Sequence, residues 1–237
     1  MVTIPEHYIE LERIYSATLA RDIKSLAVVS TFPGEGVSSI IIALAKRNAL
    51  AGRKTLLVDL NIHNPALSSL ANSTQPPDSL KTLSSPTFIE QENSSSEIAV
   101  VTGPVERKLV LSLREPGVLE SHIEAWLKDY DSVLVDTSPM SLNNGSNLPP
   151  EYIASACGGT VVTVLAGQTT NTALTNTIDK LSTAKALLIG IVINDQFNPT
   201  LKDELLREIH RLDRFFPKVA AKLRTWVNNR NILALEV

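Results

Sequence analysis

The chain is poor in the features that usually betray a function. One cysteine, Cys157, excludes an internal disulfide and suits a reducing compartment. No apolar run approaches the ~18 residues of a membrane-spanning helix. The opening segment, residues 1–13, is polar and charged and lacks the apolar centre of a signal peptide. A net charge of −3 argues against general nucleic-acid binding through a strongly basic surface. These absences predict a cytoplasmic protein with no nucleic-acid partner, touching a membrane only through a partner or a surface patch. Aromatics are few (5%), and the last of the four tyrosines is Tyr152.

What is present is ordinary for a globular chain: 237 residues, 43% hydrophobic and 20% charged, enough for a sizeable core. Its apolar runs are short and continuous rather than alternating, as in strands buried on both faces of a parallel sheet. Strands are predicted at 26–31, 55–60, 98–102, 132–136, 160–165 and 188–193, with helices at about 38–51, 117–129, 171–185 and 200–216. Such alternation predicts an α/β fold with a doubly wound, mostly parallel sheet flanked by helices. We expect a single domain over residues 1–237: an N-terminal helix (5–23), a core (24–196) and a C-terminal helical segment (200–230). Residues 64–97, rich in Ser, Thr, Asn and Pro, read as an irregular excursion.

Ligands of such sheets lie at the carboxyl ends of the strands, where Thr31, Asp59, Asp136 and Asn194 all fall. There the stretch Ser30-Thr31-Phe32-Pro33-Gly34-Glu35-Gly36-Val37-Ser38-Ser39 follows an apolar run and opens a long apolar-periodic segment. This is the strand, glycine loop, helix order of a P-loop. Gly34 and Gly36 allow the backbone N–H groups to turn toward an anion. Glu35, Ser38 and Ser39 complete the candidate nucleotide-binding set, together with Asn194 at a strand end where a base could be contacted. Ser38 stands at the usual Mg²⁺ position, and Asp59 and Asp136 are the other two candidate metal residues.

One residue is missing. The lysine that should come after the last glycine and reach the β- and γ-phosphates is Val37. A charge-assisted hydrogen bond contributes roughly 1.5–3 kcal/mol, so binding of ATP or ADP with Mg²⁺ should be weak or absent. Transfer chemistry should suffer more, because the cation neutralises charge developing in the transition state. Two readings stand: a loop kept to join strand to helix, with at most weak nucleotide binding, or a slow residual hydrolase.

The segments Lys24 to Ser30, Pro33-Gly34-Glu35-Gly36, Leu57 to Leu67, Asp131 to Pro139 and Ala166-Gly167-Gln168-Thr169-Thr170 resemble the cytoplasmic domain of bacterial tyrosine kinases. That family lies within the MinD/ParA class of P-loop NTPases, and its likeness covers about residues 6–196. The resemblance implies an inner-membrane polysaccharide co-polymerase or other envelope protein as partner, self-assembly into an oligomer, and a role in capsule or exopolysaccharide export. The departures fall on chemistry. Val37 replaces the lysine. Asn61 and His63 stand where the family carries a second aspartate and an arginine, and Ser138 replaces a proline. The family's assembly helix is matched by Glu10 and Arg13 but not by Ser16, and its C-terminal tyrosine cluster has no counterpart here. These changes together predict a catalytically impaired relative with no catalytic residue. The alternative is a weak MinD/ParA-type ATPase that positions an envelope or pilus assembly.

Elsewhere the bland readings prevail. Cys157, in a run of small residues, is expected to be a buried hydrophobe. His63 suits an exposed loop, and the Asn143-Asn144-Gly145 turn carries no defensible chemistry. The basic C-terminal segment, with Lys218, Lys222, Arg224 and Arg230 beside Trp226, suits either an anionic surface or plain packing.

Overall fold

The computed structural model describes residues 4–5, 7–62, 64–67, 87–89, 97–104, 106–142, 147–196, 205, 209 and 217–228. The chain divides into two compact units, Met1–Asn194 and Asp195–Val237. Among the described residues the first holds seven strands: β1 (Ser25–Ser30), β2 (Thr55–Asp59), β3 (Thr87–Ile89), β4 (Ile98–Thr102), β5 (Ser132–Asp136), β6 (Gly159–Leu165) and β7 (Leu188–Asn194). Its helices are α1 (Ile9–Ala17), α2 (Val37–Leu50), α3 (Arg107–Ser112), α4 (Val118–Trp126), α5 (Pro150–Ala156) and α6 (Asn171–Thr183). One sheet runs β3-β4-β2-β5-β1-β6-β7, parallel throughout except that β3 pairs antiparallel with β4 at the margin.

The six parallel strands fall within a residue or so of the sequence-based expectation. Helices α3 and α5 and the edge strand β3 do not appear in it. Each is short, seven residues at most, so no periodicity could accumulate to reveal it. The predicted helix 200–216 lies almost wholly outside the described residues.

The continuous apolar runs are explained by two cores, one on each face of the sheet. Leu26, Val28, Leu57, Leu134 and Val161 point to one side, where α1 and α2 pack with Leu11, Tyr15, Ile40, Ile41 and Leu44. Their neighbours Ala27, Val29, Leu56, Val58, Val133, Val135 and Val162 face the other, beneath α4, α5 and Leu181 of α6. A strand with both faces covered reads as a near-continuous apolar run. Asn48 of α2, fully buried, donates to Thr55 (2.9 Å) and Ser132 (3.1 Å), pinning the helix to the starts of β2 and β5. Arg47 chelates Glu12 through Nε and Nη2 (2.6 and 2.9 Å) and covers the Tyr15 ring at 4.3 Å, seating α1 on α2.

The β6–β7 pair carries an irregularity. Its register shifts between Thr160 and Val161. Next to that shift, at the start of β6, a Cβ on Gly159 would lie 2.3 Å from Ile189 Cδ1 and 3.0 Å from Ile23 Cγ2. The side chains of Ile189 and Ile23 fill the space that a larger residue would need there.

The second unit contains α7 (Pro217–Asn228), in which Val227 is buried with Ile209 and Leu205, while Trp226 and Leu223 are exposed.

Candidate functional site

Parallel strands end on a common edge of the sheet, and the site is built from their last residues and the loops that leave them. After β1 the backbone passes through Gly34 (φ 85°) and Gly36 (φ 99°), both in the left-handed region that favours glycine. Gly36 is the N-cap of α2 and brings no side chain to cap it, so the first N–H groups of a 14-residue helix face outward from the loop. A Cβ at Gly34 would meet nothing within 4 Å; one at Gly36 would lie 2.8 Å from Asn194 Nδ2.

Glu35 folds inward rather than toward solvent. It is 1% exposed, and its carboxylate accepts the Thr31 N–H (2.6 Å) and the Thr169 hydroxyl, while its carbonyl accepts Asn194 Nδ2 (3.2 Å). Thr31 and Thr177 hydroxyls meet at 3.0 Å. The loop is thus held from inside by groups of β1, the β6–α6 turn, α6 and β7. Asn194 Nδ2, at the end of β7, touches the loop's backbone. Thr169 and Thr177 were not among the sequence-derived site residues. Thr169 lies in a stretch that carried the family resemblance, which was its only signal.

Val37, where a lysine would stand, is the first residue of α2 and is buried within the core under that helix. Ser38 turns the other way and donates to Asp136 Oδ2 at 2.5 Å. Asp136 and Asp59 sit side by side as register partners at the ends of β5 and β2. Asp59 accepts backbone N–H groups from Asn61 (3.1 Å) and Leu67 (2.9 Å). Burial pushes its pKa up to about 6 against the pull of those donors. Asp136 is raised further, to about 8, by burial and then by the neighbouring Asp59 charge, with the Ser38 hydrogen bond opposing. Its second oxygen, Oδ1, is buried and has no hydrogen-bond partner.

The remaining expected residues are spread more widely. Ser39 is in the first turn of α2. Asn61 and Ser138, two of the departures from the family pattern, touch: Ser138 Oγ donates to Asn61 Oδ1 at 3.3 Å. His63 lies outside the described residues, as does the 143–146 turn. Cys157 is buried and its thiol is pushed up to about 12, first by burial and then by Glu120. It is inert, as expected of a small hydrophobe. Glu10, Arg13 and Ser16 are exposed on α1.

A divalent cation fits the orphaned Asp136 Oδ1 beside Ser38 and Asp59. Among the described residues no group of three or more His, Cys, Asp or Glu side chains could hold a metal alone. Two carboxylates plus ligand phosphates is, however, the usual way Mg²⁺ is held. No described helix is long and apolar enough to cross a membrane.

Loop, strand-end aspartates and sheet order define a P-loop NTPase fold of the MinD/ParA kind. Solved structures agree on the fold. The VpsO kinase domain superposes with a TM-score of 0.62 at 19% identity, covering 78% of this chain and 92% of that one. The kinase domain of Escherichia coli tyrosine kinase ETK gives 0.59 at 18% (73% and 68% covered), and apo McdA of Cyanothece 0.55 at 15% (82% and 82%). Sequence comparison is more specific. Tyrosine-protein kinase YwqD of Bacillus subtilis is 27% identical over 182 residues, 75% of each chain. Tyrosine-protein kinase CpsD of Streptococcus agalactiae is 27% identical over 194 residues, 80% of this chain and 82% of that one. No family profile matches. By sequence the chain is similar to these bacterial tyrosine kinases, at 27% identity over three quarters or more of its length.

Proposed function

We propose that this protein is a catalytically impaired relative of the bacterial tyrosine kinases. It would regulate or scaffold polysaccharide polymerisation and export by binding the cytoplasmic part of an inner-membrane co-polymerase. The observation that carries this reading is Val37. The loop keeps its glycines, its outward N–H groups and its serine, yet the side chain meant to neutralise phosphate is an apolar residue packed into the core. Rate enhancement in phosphoryl transfer comes from positioning and charge stabilisation, and the second of these is gone. The Asn61–Ser138 pair supports the same reading, because it places a neutral amide where relatives of this pattern carry a carboxylate.

The test is turnover. Purified protein given ATP and Mg²⁺ should transfer no phosphate to tyrosine and release no phosphate above background. Pull-down with the cytoplasmic segments of an envelope co-polymerase should be unaffected by nucleotide. Steady ATP hydrolysis by the wild-type chain would defeat the proposal. It would favour the second reading, a slow MinD/ParA-type ATPase, for which the intact Ser38–Asp136 contact speaks.

A further inference from the structure

The groups that remain at the loop do not serve all phosphates equally. In a P-loop the backbone N–H groups hold the α- and β-phosphates, and the lysine reaches the β- and γ-phosphates. Here the first set is intact: Gly34 leaves open space, and the first turn of α2 has no side-chain cap. The second set is lost with Val37. At the neighbouring strand ends two buried aspartates stand with Val37 in place of a lysine, and at neutral pH the pair keeps roughly one negative charge, since burial holds Asp136 protonated up to about 8. Asp136 keeps an unpartnered, buried Oδ1 there, beside Asp59. One Mg²⁺ offsets the same charge for either nucleotide, so the triphosphate still brings one more negative charge than the diphosphate.

We propose that the loop is a nucleoside-diphosphate site that discriminates against the triphosphate, the reverse of what a lysine-bearing loop is built to do. This rests on the reading of the loop as a nucleotide site. Selectivity arises from this chain's own residues: a backbone cradle sufficient for two phosphates, an apolar Val37 where the γ-phosphate's cation should be, and the Asp59–Asp136 pair beyond it. A protein with this preference would hold as much diphosphate as triphosphate even where ATP is in about tenfold excess.

Calorimetric titration of the full chain with ADP and with ATP, each with Mg²⁺, decides it. ADP should bind about tenfold more tightly, the cost expected when the extra charge of the triphosphate meets the strand-end aspartates with no cation from position 37. Val37→Lys should erase or invert that ratio. Val37→Met, uncharged and able to fill the buried position, should keep it, and thermal melts establish that both variants fold. If the lysine variant does not fold, the wild-type ratio decides alone. ATP binding as tightly as ADP would overturn the inference and leave the nucleotide site standing. Binding of neither would overturn the nucleotide reading itself, and the selectivity with it.

Discussion

The two halves of the site have kept different things. The loop between β1 and α2 has its shape: two glycines at positive φ, an uncapped helix start, and an inward Glu35 whose carboxylate accepts from Thr31 and Thr169 and whose carbonyl accepts from Asn194. The strand ends of β2 and β5 retain their charge: two adjacent carboxylates, both pushed toward neutrality by burial. What is gone is the cation that would let shape and charge cooperate on one ligand. Backbone geometry is fixed by many contacts and survives the loss of any one side chain. An electrostatic balance depends on single residues and shifts with each of them.

Four substitutions would break or sharpen that contrast. The largest effect should come from Glu35→Ala, which strips the loop of its internal anchor and leaves the Thr31 N–H buried without an acceptor. A loss of about 3 kcal/mol in chemical denaturation is expected. A loss under about 1 kcal/mol would mean the loop holds its shape without Glu35.

Next comes the charged half. Asp59 and Asp136 both titrate higher folded than unfolded, so the native state holds more protons between about pH 4 and pH 8. Their contribution is therefore full at low pH and is lost as pH rises through that window. Asp136→Asn should make the protein more stable at pH 8.5, by about 2 kcal/mol, and flatten the profile between pH 5 and 8.5. An unchanged profile would show that the pair does not carry the burial cost assigned to it.

Gly36→Ala should cost about 1–2 kcal/mol from the left-handed backbone alone, with Asn194 Nδ2 forced aside in addition. Combining it with Asn194→Ala should recover the steric part and leave the backbone part, readable as a double-mutant cycle. The smallest effect, about 1 kcal/mol, is expected of Thr169→Val, which removes one donor to Glu35 and keeps the shape. Its melting temperature should fall by a few degrees at most.

Much of this was legible in the sequence, and the reasons differ by residue. The parallel strands announced themselves because burial on both faces demands unbroken apolar runs such as Leu56-Leu57-Val58. The loop was legible because Gly34 and Gly36 are fixed by backbone sterics. Partnerships across the fold were not. Asn61 and Ser138, 77 positions apart, gave no sign in the sequence that their side chains meet, at 3.3 Å. Glu35 looked like a member of the binding surface. Its carboxylate turns inward onto Thr31, four positions away, and onto Thr169, 134 positions away, the second of which no local pattern encodes.

Gly159 and Asn194 mark the two ends of one strand pair. Gly159 sits at the foot of β6, beside the register shift with β7, while Asn194 pairs with Leu165 at the far end of the same two strands. The six steps between Gly159 and Leu165 span about 20 Å. A methyl group added at Gly159 would press on the side chains of Ile189 and Ile23, which would have to turn aside to admit it. The crowding is met by side-chain tips at one end of the pair, while at the other a single amide touches the Glu35 carbonyl.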